Sequence, residues 1–192
     1  MKSDFCSQPD AGFTIIELVT VLIVIGIVGA IGVGRFFDNR VFENRAYADQ
    51  AKAIIRYAQK LAIAQNRFMY VRADGNSFAV CSGSGCAAAE AVTAPAGSNS
   101  GSSVTKANCL LGGAYVAQWL CEGRPASVTV NAGGRAEVGA GGYFFFDALG
   151  RPYNKADSGI AGSTFNAPLA ITFASGGNSA QITIYPETGY VQ

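Results

Sequence analysis

An almost unbroken apolar run near the start of the chain constrains the fold more than any other feature. Residues 13–34 form a stretch of 22 residues that is interrupted only by Glu17, two threonines and small residues. As an α-helix it would extend about 33 Å at ~1.5 Å per residue, which is long enough to cross a bilayer. A cleaved secretory signal has a basic start, a shorter apolar stretch and a small-residue cleavage site, none of which fits here. We therefore expect the run to stay on the mature protein.

Glu17 is the one charged side chain in this run. A carboxylate well inside hydrocarbon is disfavoured by about 2.5–3.5 kcal/mol on insertion scales, so something must compensate for it. One interpretation is that Glu17 lies one turn from the helix start, at the interface, where it complements the positive end of the helix dipole. The other interpretation depends on the residues that flank Glu17.

Residues 12–17 read Gly-Phe-Thr-Ile-Ile-Glu and lead directly into the apolar run. This pattern resembles the N-terminal signature of type IV prepilins and type II secretion pseudopilins. The resemblance implies that a prepilin peptidase removes residues 1–12 as a leader peptide by cutting between Gly12 and Phe13, and that Phe13 is then N-methylated. It also implies that Glu17 pairs with the terminal amine of a neighbouring subunit during assembly, inside an apolar filament core where opposite charges attract strongly.

The residues after the apolar run have the pattern of an amphipathic helix. From residue 35 to 65, small and apolar side chains recur at the three-and-four spacing of one helical face, while polar residues of both signs occupy most other positions. The predicted buried positions are Phe37, Val41, Ala48, Ala51, Ile54, Ile55, Ala58, Leu61 and Ala62. We predict one long helix, with 13–34 in a membrane or filament core and 35–65 on a globular sheet.

Residues 46–67 carry a second resemblance, to minor pilins of the pseudopilin H and FimT group. They are more similar still to minor pilins of mannose-sensitive haemagglutinin (MSHA) pili. The implied fold class is α+β, with the long N-terminal helix packed on a C-terminal antiparallel β-sheet domain, as in pilins. The implied globular head covers residues 66–192.

The head shows several strand patterns of its own. Residues 67–73 and 77–81 flank the turn signal Asp-Gly-Asn, which predicts a hairpin. Alternating apolar and polar residues predict strands over 126–130, 169–173 and 181–184, the last two joined by a Ser-Gly-Gly-Asn turn. The aromatic residues 143–146 favour a core strand over a binding platform. Residues 83–108 are rich in Gly and Ser, which predicts an exposed insertion.

Four cysteines remain once the leader, with Cys6, is removed: Cys81, Cys86, Cys109 and Cys121. Outside the inner membrane they would meet an oxidising compartment, which favours disulfides. Four cysteines allow three pairings, and the pairing of nearest neighbours would tie two irregular segments back on themselves. A zinc site is the alternative, but the chain has no histidine and lacks the usual close CxxC spacings.

Composition excludes several classes of function. A formal net charge of +1, with 14 lysines and arginines spread along the chain, provides no basic field for nucleic acid. The absence of histidine, of a P-loop and of a GxSxG motif argues against an enzyme, and no cofactor or metal is expected.

We therefore predict a structural minor pilin of an MSHA-like type IV pilus, which acts at the tip or in the initiation of assembly and so contributes to adhesion. The expected partners are other pilin subunits, the prepilin peptidase, the inner-membrane assembly platform and, before assembly, the inner membrane itself. The expected location is a single-pass anchor in the bacterial inner membrane with the head in the periplasm, followed by the extracellular pilus. A type II secretion pseudopilin is the alternative, and a DNA-binding minor pilin is disfavoured because no cation follows Lys155.

Overall fold

The computed structural model describes residues 13–36, 39–159 and 161–192. The chain divides into two compact units, Met1–Asn39 and Arg40–Gln192. The predicted leader, including Gly12 and Cys6, lies outside the described residues.

The first unit contains helix α1, Ile15–Phe36, which coincides closely with the apolar run. Eleven consecutive positions from Val19 to Gly29 include only one polar side chain, Thr20, so the helix has no polar face over that stretch. Within the described part of the chain, no helix is both long and apolar enough to cross a membrane.

Helix α2, Asn39–Gln65, follows in the sequence. Most of its predicted buried face is confirmed for the side chains that the structure describes, because Ala48, Ala51, Ile54, Ile55, Ala58 and Ala62 are all buried. Leu61 is only half-buried at the edge of the core. Tyr47 and Asn44 are buried as well and were not predicted to be. Residues 37 and 38 lie outside the described residues, so a single continuous helix from 13 to 65 stays a prediction.

The second unit also contains three antiparallel sheets. The strands are β1 Met69–Ala73, β2 Ser77–Cys81, β3 Leu110–Leu111, β4 Ala114–Tyr115, β5 Cys121–Gly123, β6 Thr129–Asn131, β7 Tyr143–Phe146, β8 Pro152–Tyr153, β9 Leu169–Ser175 and β10 Asn178–Ile184. The largest sheet has the order β5-β2-β1-β7-β8, the second has the order β10-β9-β6, and β3 pairs with β4. The α+β class predicted from the sequence is confirmed.

Both predicted hairpins form. Between β1 and β2, Asp74 Oδ1 accepts hydrogen bonds from the backbone N–H groups of Asn76 and Ser77 at 2.9 and 2.8 Å. Gly75, between Asp74 and Asn76, has a φ of 85°, which is accessible to glycine at little cost. The hairpin of β9 and β10 pairs Ser175 with Asn178 across its two-glycine turn. The turn residues in the sequence therefore predicted both hairpins correctly.

The main core lies between α2 and the inner faces of the two larger sheets. It contains alternate residues of β1, β7 and β9, which is the period of a half-buried strand. Strand β2 is buried along its whole length, because Phe78 and Val80 face the main core while Ala79 and Cys81 face a second, smaller core. The second core also contains Cys109, Leu111, Trp119 and Cys121.

Two predictions about the head need correction. The strand expected at 126–130 covers Thr129–Asn131 instead. The Val128 N–H donates to the Pro125 carbonyl in a turn over residues 125–128, so the strand begins only at Thr129. The segment 83–108 is not simply exposed, since Ala94 and Thr105 are buried. This segment contains a 3₁₀ turn, Ala88–Glu90, and a short helix, α3, Ser103–Asn108.

Candidate functional site

Phe13, Thr14 and Glu17 lie at the N-terminal end of α1. The Thr14 hydroxyl accepts a hydrogen bond from the Glu17 backbone N–H at 3.3 Å, and the Thr14 carbonyl accepts from the N–H groups of Glu17 and Leu18. This is half of a capping box, in which the side chain of a threonine before the helix accepts from a backbone N–H of the first turn. The sequence therefore starts the helix at a defined residue, directly after Phe13.

The carboxylate of Glu17 is exposed in the first turn of α1. Within the described part of the chain, no hydrogen bond or ion pair engages it. Its position favours interaction with the positive end of the helix dipole, a contribution of about 0.3–1 kcal/mol. It also leaves the carboxylate free to pair with a cation from outside this chain.

Over residues 15–30 of α1, the apolar side chains are exposed on every side of the helix. Phe13 is 83% exposed and Ile15 is 86% exposed. The other large exposed side chains are Ile16, Leu18, Val19, Val21, Leu22, Ile23, Val24, Ile25, Ile27 and Val28. A helix that is apolar all round is normally buried, so this surface requires a partner.

In the head, the four predicted cysteines form two disulfides, Cys81–Cys86 and Cys109–Cys121. The structure thus selects the nearest-neighbour pairing from the three that the sequence allows, with Cα–Cα separations of 5.3 and 5.8 Å. Trp119 packs among them, and its indole N–H donates to the Val80 carbonyl at 2.9 Å. The disulfides therefore tie the segments around residues 86 and 109 to the second core.

A cleft of about 280 Å³ opens on the outer face of the five-stranded sheet, and no sequence motif indicated it. The side chains that line it are Tyr70, Arg72, Asp74, Ser84, Cys86 and Tyr143, with four glycines at 83, 85, 141 and 142. The sequence indicates only that Tyr70 and Arg72 occupy alternate positions of one strand, so that their side chains share a face. Their juxtaposition with Tyr143 depends on pairing between strands that lie about 70 residues apart, as the register of β1 and β7 shows.

Burial affects the ionisable groups of this cleft in opposite directions. It lowers the pKa of the Arg72 guanidinium, and the nearby Asp74 carboxylate partly restores that pKa. It raises the pKa of the Tyr70 phenol, as do the neighbouring Tyr143 and Glu90. Arg72 nevertheless stays charged and Tyr70 stays neutral near pH 7, because the unperturbed pKa values of both groups are far from neutrality.

Comparison with known proteins gives one curated relative. The chain is 44% identical over 54 residues to the Type IV narrow pilus major component PilA5 of Thermus thermophilus. The chain is similar to a type IV pilin over that stretch. The match covers 28% of this chain and 47% of the relative, so the chain spans about half the length of the curated protein that it matches. No family model matches the chain.

Two solved structures also resemble the fold. Both are crystal structures of the type IV minor pilin FimU of Pseudomonas aeruginosa, in space groups P21 and P65, at 16% and 13% identity. The matches cover 78% and 77% of this chain and 87% and 90% of the FimU chains, with TM-scores of 0.45 and 0.43.

Proposed function

We propose that this chain is a structural minor pilin, a subunit of a type IV pilus. The observation that carries the proposal is α1, whose apolar side chains are exposed on every side over residues 15–30 and whose first turn carries a single carboxylate. Packing such helices together in a filament would bury this surface at about 25 cal/mol per Å². The similarity over 54 residues to PilA5, a major component of a type IV narrow pilus, supports a role as a pilus subunit.

In this proposal the chain is processed between Gly12 and Phe13, and Phe13 is N-methylated. The new amine at Phe13 is a cation at the start of α1, and Glu17 of a neighbouring subunit neutralises it as the filament grows. A buried charge without a partner is strongly unfavourable, about 3–5 kcal/mol when one member of a buried pair is removed. The pair therefore makes helix packing depend on correct axial register between subunits.

We further propose that the subunit belongs to an MSHA-like pilus, at the tip or in the initiating complex, and contributes to adhesion. The resemblance of residues 46–67 to MSHA minor pilins supports this, as do the cysteine-rich head and its Gly/Ser-rich segment. Before assembly the subunit is held at the inner membrane with its head in the periplasm, where the prepilin peptidase and assembly platform act on it. An oxidising periplasm agrees with the two disulfides of the head.

The test measures how much of the subunit reaches sheared, purified pili, relative to its level in the cell membrane. We expect Glu17→Gln, which removes the charge and keeps the shape, to lower incorporation at least tenfold, since an unpaired buried amine costs about 3–5 kcal/mol. Glu17→Ala should behave in the same way. The matched control is Glu187→Gln, which neutralises an exposed carboxylate of the head.

Mass spectrometry of the membrane-extracted protein accompanies this test, and the mature chain should begin with N-methylated Phe13. Normal incorporation of Glu17→Gln would contradict the pairing mechanism, because loss of a dipole interaction alone costs only about 0.3–1 kcal/mol. A chain that still begins at Met1 in cells with an active peptidase would contradict the pilin assignment. A wild-type subunit missing from pili but required for protein secretion would favour a type II secretion pseudopilin instead.

A further inference from the structure

The cleft on the outer face of the five-stranded sheet has one aromatic wall. Met69, Val71 and Ala73 of β1 point into the main core, so Tyr70 and Arg72 between them point to the opposite face. The register of β1 and β7 places Tyr143 opposite Arg72 and next to Tyr70 on that face.

The two tyrosine rings form a firm, partly open surface. Their centroids are 6.1 Å apart with an interplanar angle of 61°, and both side chains are half-buried. Tyr70 also packs on the buried Phe145 at 5.0 Å, and the Tyr143 hydroxyl donates to the Lys155 carbonyl at 3.2 Å. The rings are held from behind and from the side, so a ligand would meet them already in place.

Beside the aromatic wall, the lining is polar and equally fixed. The Arg72 guanidinium lies 4.5 Å from the centre of the Trp119 ring, and one terminal nitrogen donates to Ser77 Oγ at 2.8 Å and to the Asn108 carbonyl at 3.1 Å. Its Nε lies 3.2 Å from Asp74 Oδ2 but has no hydrogen bond within the described part of the chain. The buried Nε donor of Arg72 therefore has no aligned acceptor within the described part of the chain.

Charges around the cleft balance one another. Arg72 faces Asp74, while the Lys155 ammonium lies 5.5 Å from the Tyr143 ring centre and donates to the Gly141 carbonyl at 2.8 Å. Glu90 lies behind the glycine rim, where its carboxylate accepts from the Ala87 N–H at 2.8 Å. With two cations and two carboxylates around it, the cleft has no net charge that would favour an anionic or a cationic ligand.

We infer that this cleft binds a neutral sugar ring. The C–H face of a pyranose packs against tyrosine rings, whose faces carry partial negative charge. Its hydroxyl groups can both donate and accept, which suits Arg72, Asp74, Ser84 and the backbone of the glycine rim together. The volume of about 280 Å³ lies just below the usual range for the sites of drug-sized ligands, which suits a ligand as small as one or two sugar rings. This site lies on the head and does not depend on the proposed filament role.

The test is ligand-observed saturation-transfer NMR on the full chain, kept in an amine-oxide detergent because that detergent carries no sugar. The three neutral probes are the methyl glycoside of glucose, the methyl glycoside of galactose, and N-acetylglucosamine. N-acetylneuraminic acid and choline serve as anionic and cationic comparators. We expect saturable binding of at least one neutral sugar, and weaker binding of both charged compounds.

Three variants locate the site. Tyr143→Ala removes part of the aromatic wall, and Ser84→Trp fills the cleft from an exposed loop position, so each should weaken binding at least tenfold, about 1.4 kcal/mol. The matched control is Tyr190→Ala, since Tyr190 and Tyr185 form a second pair with centroids 6.1 Å apart outside any lining of this cleft. Tyr190→Ala should leave binding unchanged.

The inference is overturned if none of the three neutral sugars binds saturably, or if either charged compound binds more tightly. It is equally overturned if folded Ser84→Trp binds as wild type does, or if Tyr190→Ala weakens binding as much as Tyr143→Ala. Thermal unfolding of each variant identifies any that has lost its fold. Because Ser84 is exposed, Ser84→Trp should fold and still test the site even where Tyr143→Ala is unstable.

Discussion

Tyr47 shows how one residue can limit the stability of the head. Its ring is buried on α2 and packs against Phe173 and Phe78, with centroids 5.7 and 6.1 Å away. Its hydroxyl is buried too and has no hydrogen bond within the described part of the chain. Burial raises the pKa of this phenol well above its usual value, because the ionised form would lose its hydration.

We predict that Tyr47→Phe raises the free energy of unfolding by about 1–3 kcal/mol at neutral pH, since a buried hydroxyl without a partner costs roughly that much. The pH dependence has a definite sign. A pKa that is higher in the folded chain gives stability that is complete below the unfolded value, about 10, and is lost as pH rises beyond it. Urea unfolding between about pH 8 and 11 should therefore show a shallower alkaline decline for Tyr47→Phe than for wild type.

The control for this prediction is Tyr190→Phe, because Tyr190 is 55% exposed and its removal should leave both quantities unchanged. Tyr70 and Tyr153 also have raised pKa values, so some alkaline decline should persist in Tyr47→Phe. Identical slopes for Tyr47→Phe and wild type would show that the hydroxyl of Tyr47 is hydrated in the folded protein.

At the scale of elements, α2 is the organising part of the head. Its apolar face supplies seven of the 23 buried residues of the main core, and its polar residues reach the end of the chain. Arg56 donates to the Val191 carbonyl at 2.6 Å, and Gln59 Nε2 donates to the carbonyls of Gly150 and Thr188 at 2.9 and 2.8 Å. These contacts link residues more than 90 positions apart, so α2 holds together segments that local sequence does not connect.

We predict that Ile55→Ala lowers the free energy of unfolding by about 2–5 kcal/mol, the usual cost of a cavity at a fully buried isoleucine. The matched control on the same helix is Ile63→Ala, because Ile63 is 50% exposed and its loss should cost about 0.5 kcal/mol or less. Denaturant unfolding followed by far-UV circular dichroism measures both variants. Equal losses for the two variants would mean that α2 does not pack on the sheets as the structure shows.

At the scale of the whole described molecule, the head contains two cores that share strand β2. The main core is a layer of helix against sheet, whereas the second core is small and consists largely of cysteines, Leu111 and Trp119. A small core gains little from apolar burial, and cross-links compensate for that by restricting the unfolded chain. The two disulfides are therefore expected to contribute most to the second core.

We predict that replacing Cys109 and Cys121 together by alanine lowers the free energy of unfolding by about 3 kcal/mol, and replacing Cys81 and Cys86 by about 2 kcal/mol. The difference follows from the length of the closed loops, with sequence separations of 12 and 5. Trp119 is the single tryptophan of the chain and lies in the second core, so its fluorescence reports on that core directly. A larger loss for the Cys81–Cys86 pair would contradict the loop-length explanation.

Much of this architecture follows from short-range patterns. The apolar run predicted α1, the three-and-four spacing predicted the buried face of α2, and turn residues predicted the hairpins of β1–β2 and β9–β10. Within the aromatic run 143–146, Phe144 and Phe146 belong to the main core as predicted, whereas Tyr143 is half-buried on the outer face of the sheet. The motif at residues 12–17 predicted Phe13 and Glu17 as the processing and assembly residues, and these roles stay predictions.

Only the tertiary structure determined which distant segments meet. The pairing of β1 with β7, the choice among three cysteine pairings and the burial of Thr105 on α3 all depend on contacts between segments far apart in sequence. The cleft lined by Tyr70, Arg72 and Tyr143 exists only because that strand pairing sets their register. Periodicity specifies which face of an element is apolar, whereas its partner is selected by the packing of all the faces at once.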